Sequence, residues 1–326
     1  MSVKTIAKLA GVSVATVSRV LNNCPTVKKE NFDKVNSVIK EIGYKPNTLA
    51  KQLRTSKTSI ILVICSDLAN PFISEILKSI EKSATKKGYK IILGSTNGEP
   101  SLTSILINMI SGKLIEGIIS IDEISLTPNL DILSNSIPWV LCGEKSEHEH
   151  FSSVCIDDEE ATYFIVKKLI ETGKKKIALI NHDTKLSYAK KRQLGFERAL
   201  SEGNINSNNI VYVKAHSFHD GAEALAEICS KPSMPDAIIA ASDILAVGAM
   251  HQAKKMGINI PEELSIIGFD NIPIAKMLSP QLSTIHQPTE KIGEIALKIL
   301  DDKINFPEKP SQAVILEWQF MERGTN

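Results

Sequence analysis

Arg19 stands in a short apolar stretch, Val14 to Leu21, that follows Ser13. An arginine exposed on a helix can grip a guanine edge through two N–H groups, and a small apolar residue such as Val14 or Ala15 can pack on a thymine methyl. Elsewhere Phe72, Asp243 and Asp270 each lie just beyond an apolar run that reads as a strand. Open α/β layers bind ligands outside the carboxyl ends of their strands. A carboxylate placed there takes two hydroxyl donors well, so Asp270 suits a ribose-like diol. Asp243 has a second reading as the cap of the helix that follows it.

Patterns for catalysis are missing. No GxGxxG follows a strand, and Gly173-Lys174 lacks the upstream glycine and the following Ser or Thr of a phosphate loop. Neither HExxH nor GxSxG occurs. The five cysteines (Cys24, Cys65, Cys142, Cys155, Cys229) are odd in number and form no CxxC pair. That suits reduced thiols rather than a disulfide framework or a zinc site. His148 and His150 sit in a polar stretch and read as solvated. The expectation is a protein without catalytic residues, cofactor or metal.

The elements that must position Arg19 can be read directly. Thr5 is a plausible cap for a helix through Ala10, Gly11 allows a tight turn, and Ser13 can cap a second helix. Asn22-Asn23 and Pro25 stop that helix. A third helix fits Lys28 to Ile42, with Phe32, Val35, Val38, Ile39 and Ile42 on one face and Gly43 closing it. Charge singles out this end of the chain. Residues 1–60 carry nine lysines and two arginines against Glu30, Asp33 and Glu41, a net of +8. The remaining 27 basic and 34 acidic side chains leave −7. A basic head on an acidic body predicts nucleic-acid contact confined to one end.

The run from Thr5 to Asn22 resembles the headpiece signature of the lactose-repressor/galactose-repressor family of bacterial transcription regulators. The resemblance implies a helix-turn-helix whose second helix enters the major groove. Val14, Ala15 and Arg19 would then face base edges. Thr5, Ser13, Thr16 and Ser18 would lie near phosphates, and Asn22 belongs to the same DNA-binding set. Tyr44 to Arg54 is similar to the family's hinge helix, with Leu49, Ala50 and Leu53 at helical spacing. Leu53 matches the wedge that the family pushes into a minor-groove step.

From Ile60 onward, apolar runs alternate with amphipathic stretches, as in α/β layers with parallel strands. Strands are expected at Ile60–Cys65, Lys90–Gly94, Gly117–Ile121, Trp139–Cys142, Lys176–Ile180, Ile210–Val213, Ala237–Ala240 and Leu264–Phe269. Helices fit Ser74–Lys87, Leu102–Gly112, Ala161–Thr172, Tyr188–Ser201, Asp220–Ser230, Ile244–Met256 and Lys291–Leu300. The expected organisation is a headpiece (1–45), a hinge and linker (46–58) and a two-lobed, doubly wound core (59–326). The first crossing falls near Ile156-Asp157; one lobe takes 59–157 with 288–316, the other 158–287 with 317–326.

This body resembles the sugar-binding core that the same family shares with periplasmic binding proteins. The resemblance rests on Asn70-Pro71-Phe72, Glu116 to Ile119, Ala241-Ser242-Asp243, Ser265 to Asn271 and Leu282 to Pro288. It implies that Phe72 stacks on a ligand and that Arg192, Asp243, Asp270 and Gln287 hydrogen-bond it. Ile73 and His216 stand where many relatives carry aromatics, so both join the expected effector site. Ser74-Glu75-Ile76 and the Asp243-to-Asn271 stretch are most similar to the family's cytidine-responsive branch, then to its purine-responsive branch. The whole reading is a cytoplasmic homodimeric regulator, not an enzyme, that binds double-stranded operator DNA. Its small-molecule effector is expected to be a nucleoside first, a purine or sugar second. The rival is a doubly wound enzyme acting on a sugar or nucleoside. No stretch approaches the roughly 18 apolar residues that cross a bilayer, so no membrane partner is expected.

Overall fold

The computed structural model describes residues 2–21, 24–44, 58–96, 99, 102, 114–121, 137–144, 151–205 and 209–326. It divides into two compact units, Met1–Thr58 and Ser59–Asn326. Asn22, Leu53, the expected hinge, His148, His150 and nearly all of the expected 102–112 helix lie outside the described residues.

The first unit holds α1 (Val3–Ala10), α2 (Val14–Leu21) and α3 (Lys29–Glu41). Ser2, not Thr5, caps α1: its hydroxyl accepts the Thr5 N–H at 3.3 Å, and Thr5 sits inside the first turn. Gly11 closes α1 with φ +65°, a conformation that costs glycine nothing and most residues something. Ser13 does cap α2, accepting the Thr16 N–H at 3.1 Å. Ile6, Ala7 and Ala10 meet Val17, Val20 and Val35 in a small buried core. Fully burying each of the larger side chains contributes roughly 1.5–3 kcal/mol.

In the second unit, β1 (Ile60–Cys65), α4 (Pro71–Lys87), β2 (Lys90–Ser95), β3 (Gly117–Ile121), β4 (Trp139–Cys142) and β5 (Ser152–Ile156) come first. They are followed by α5 (Asp158–Glu171), β6 (Ile177–His182), α6 (Ser187–Glu202), β7 (Ile210–Val213), α7 (Phe218–Ser230) and β8 (Ala237–Ala240). The chain ends with α8 (Asp243–Lys255), β9 (Ser265–Asp270), β10 (Ser283–His286), α9 (Thr289–Asn305), β11 (Ala313–Leu316) and β12 (Gln319–Met321). One sheet runs β11-β5-β4-β3-β1-β2, with every pairing parallel. The other runs β12-β10-β9-β8-β6-β7, parallel except for the edge pair β10 and β12. Fully buried strands of this kind read as near-continuous Ile, Val and Leu because helices cover both faces.

The chain passes between the sheets three times. It leaves the first sheet between β5 and α5, returns between β10 and α9, and leaves again between β11 and β12. Four strands were not anticipated. Ser152 and Ser153 in β5 are buried but give no apolar signal, and β10, β11 and β12 are only three or four residues long. Three expected strands run further: β2 reaches Ser95, β6 reaches His182 and β9 reaches Asp270, which places His182 and Asp270 at carboxyl ends.

Candidate DNA interface and ligand cleft

Burial orients α2. Val17 and Val20 are pulled into the three-helix core, which turns Val14, Ala15 and Arg19 outward on one exposed face. Ser13 and Thr16 hydroxyls lie 2.9 Å apart at the N-terminus of the helix. Thr5 Oγ1 lies 3.1 Å from Ser2 Oγ at the start of α1. Hydroxyls and N–H groups at a helix N-terminus are suited to phosphate oxygens, and residues on an exposed face, such as Val14 and Ala15 in the first turn and Arg19 in the last, to base edges. Lys4 and Lys8 are also exposed on α1.

In the second unit, Phe72, Arg192, His216, Asp270 and Gln287 border one cleft of about 340 Å³, together with Asn70, Gly143, Tyr188, Ala241 and Ser242. Phe72 owes its place to the start of α4. Asn70 accepts the Phe72 N–H at 3.0 Å, and Pro71 supplies the first helical turn. One position on, the helix turns Ile73 away. It is completely buried among Val63, Ile76 and Leu297 in the core of the first lobe. Ile73 is therefore a packing residue and no wall of the cleft.

Arg192 is held from three sides. Its Nε donates to Asp158 Oδ1 at 2.9 Å, and Nη2 lies 2.8 Å from the same oxygen. Nη1 donates to the Ala241 carbonyl, while the guanidinium plane sits 3.5 Å above the Phe269 ring. Burial raises the Asp158 carboxyl even though Arg192 pulls it down. Removing one member of such a buried pair costs about 3–5 kcal/mol, because the other charge is left uncompensated. A guanidinium has five N–H donors, so these contacts leave some for a ligand.

Asp270 and Asn271 have φ of +112° and +61°, left-handed backbone at two consecutive non-glycine residues. Such strain persists only where the surroundings enforce it, and it gathers at ligand sites. Gln287 donates through Nε2 to Asp270 Oδ1 at 2.8 Å. Its own Oε1 is buried and has no partner, an acceptor in want of a donor. Burial pushes the Asp270 carboxyl well above the usual range against the pull of Arg192.

Asp243 is placed elsewhere. Ser242 caps α8, accepting the Leu245 N–H at 3.4 Å, so the capping reading of Asp243 fails as well. The fully buried Asp243 carboxylate accepts the Ile272 N–H at 2.8 Å and the Thr284 hydroxyl at 2.6 Å. It braces the turn that carries Asp270 from behind, and it does not border the cleft. Its direct contact with ligand, expected from sequence, is corrected to this supporting position.

His216 forms the remaining wall. Its Nε2 lies 2.9 Å from the Tyr188 hydroxyl, and its ring stacks on His182 with centroids 3.7 Å apart. Burial, then repulsion from His216 and Arg192, lowers His182 to about 2, so it stays neutral. Asp158, His182 and Tyr188 were missed from sequence. Tyr188 had a usable signal: four residues before Arg192, it falls on the same helical face.

Comparison with known proteins places the chain in a family. Residues 2–47 match the model of bacterial regulatory proteins of the lacI family, and 166–326 match a periplasmic binding protein-like domain. Catabolite control protein A of Staphylococcus aureus is 34% identical, covering 100% of this chain and 99% of the relative. The chain belongs to the LacI family. It is a DNA-binding transcription regulator with a LacI-type helix-turn-helix. A LacI family regulator from Enterococcus faecium with bound ribose is 27% identical, with a TM-score of 0.73 over 82% of this chain and 98% of that one. The lac repressor dimer bound to operator and an anti-inducer has a TM-score of 0.88 at 22% identity, covering 100% of this chain and 98% of that one; it supports the fold. These three relatives are regulators by name. Among the described residues, no helix is long and apolar enough to cross a membrane.

Proposed function

We propose that this LacI family member is a repressor acting as a homodimer in the cytoplasm, whose hold on a pseudo-palindromic operator depends on a small polyhydroxylated effector. In the headpiece, Val14, Ala15 and Arg19 read base edges, while Thr5, Ser13, Thr16, Ser18 and Asn22 serve the backbone. Leu53 acts as the minor-groove wedge. In the core, Phe72 stacks on the effector, and Arg192, Asp270, Gln287 and His216 hold its hydroxyls.

The observation that carries the effector reading is the meeting of aromatic walls, one guanidinium and one strained carboxyl group in one cleft. A few fixed polar groups against an apolar wall suit a sugar-sized ligand. A sugar now precedes a nucleoside, reversing the sequence expectation, because a relative holds ribose. Effector closure between the lobes releases DNA, since a ligand shifts only an equilibrium between states it binds unequally.

A thermal-shift screen of sugars, nucleosides and purines against the full chain tests this reading. A ligand that binds the native state raises its stability by mass action. Stabilisation by a pentose or hexose that also changes operator affinity is the expected result. Stabilisation by none of the three classes at millimolar concentration overturns it.

A further inference from the structure

Arg192, the one arginine among the described residues bordering the cleft, arrives already paired with a carboxyl group. Arg192 and Asp158 are both nearly inaccessible, and the Asp158 carboxylate takes the side edge of the guanidinium at 2.8–2.9 Å. Asp158 is not in this position to serve its helix. Asp157 caps α5, and the two acids that follow, Glu159 and Glu160, already favour the helix N-terminus from the surface while pairing with Arg198. Asp158 alone turns inward. Among the described residues bordering the cleft there is no lysine and no second arginine, whereas Asp270 adds another carboxylate. The unpartnered, buried Gln287 Oε1 is a further acceptor facing no donor.

A ligand hydroxyl finds good partners here: free guanidinium N–H groups, Asp270 and Gln287. A phosphate or carboxylate finds no lysine and no unpaired guanidinium in this lining, where the other basic group, the His216 imidazole, is engaged by the Tyr188 hydroxyl; it must also leave water, which is costly for any unpaired charge. Resting on the effector reading above, we infer that Asp158 determines specificity: by neutralising Arg192 it makes the cleft accept an uncharged polyol and reject the same polyol bearing an anionic group.

The test uses the full chain, titration calorimetry and thermal shift, with ribose, ribose 5-phosphate, 5-O-methyl ribose, the matching glucose series and inorganic phosphate as probes. Wild type should prefer a sugar over its phosphate ester by about 100-fold, the size expected for one extra charge about 6 Å away at an effective dielectric near 20. The methyl ether should bind like the parent sugar, which separates charge from bulk. Asp158→Asn should move the sugar-to-ester ratio toward the ester by about 100-fold and gain a thermal shift with inorganic phosphate that wild type lacks. A merely structural partner would weaken all probes alike. The inference is overturned by wild type binding ester and sugar equally, or by a folded Asp158→Asn protein with an unchanged ratio and no phosphate response. If wild type ignores every sugar while Asp158→Asn still gains the phosphate response, the effector reading fails and the role of Asp158 stands. Should Asp158→Asn not fold, the wild-type comparison of sugar, ether and ester decides alone.

Discussion

Gly268 and Asp243 are fitted to one another: a β-carbon built on Gly268 would stand 2.2 Å from Asp243 Oδ1. The missing side chain in β9 is what lets the carboxylate reach Thr284 and the Ile272 N–H. The turn bearing Asp270 is thus braced by the absence of a methyl group two residues earlier.

Gly268→Ala should destabilise the core by about 1–3 kcal/mol through overpacking. Urea unfolding followed by the fluorescence of Trp139 and Trp318 measures it. A loss under roughly 0.5 kcal/mol, the usual scale of a surface change, would show that the carboxylate has room to retreat.

Asp243 also predicts a pH dependence. Burial raises its carboxyl to about 7, with its hydrogen bonds pulling the other way. Unfolded, the group titrates near 3.9. Between about pH 4 and 7 the folded chain therefore retains a proton that the unfolded chain has lost, and stability falls as pH rises through that window. Asp243→Asn removes this linkage. The stability of wild type relative to the variant should decline from pH 4 to 7 and level off above; parallel curves would contradict the assignment.

Arg19→Ala should cost about 1–3 kcal/mol of operator affinity and relax preference at one base pair. Lys4→Ala and Lys8→Ala should instead weaken all duplexes alike and flatten the salt dependence. Fluorescence anisotropy on operator and scrambled DNA separates the two. Equal losses on both duplexes for Arg19→Ala would remove it from base reading.

Legibility followed local physics. The faces of the headpiece could be read because Val17 and Val20 at helical spacing decide which side of α2 is buried. The layered core could be read because its central strands are apolar runs. What escaped is settled by partners distant in sequence. Asp158 resembles any acidic first-turn residue until Arg192, 34 positions later, is seen against it. Asp243 looks like a cap or a ligand contact until Thr284 and Ile272 are brought to it across the sheet. Ile73 and Phe72 are neighbours with opposite fates, and only the observed start of α4 at Pro71, three residues ahead of the expected Ser74, fixes which one meets the cleft.

The sharpest check on the cleft is Asp270→Asn. Alanine would be a poor choice, because φ at this position is +112° and asparagine tolerates left-handed backbone better. Asparagine also keeps an oxygen for the Gln287 Nε2 donor while removing the second oxygen that a ligand hydroxyl would meet. A hydrogen bond contributes about 0.5–1.5 kcal/mol, so effector affinity should fall roughly 2- to 12-fold. Ligand-free operator binding should stay within about threefold of wild type, since Asp270 lies in the second unit and the residues proposed to touch DNA lie in and just beyond the headpiece. Calorimetry with the best sugar from the screen gives the first number and anisotropy the second. If the variant binds that sugar as tightly as wild type, Asp270 does not hold the ligand. If instead it loses operator binding in the absence of ligand, the strained turn supports the DNA-binding state itself, and the division of labour between cleft and headpiece is wrong.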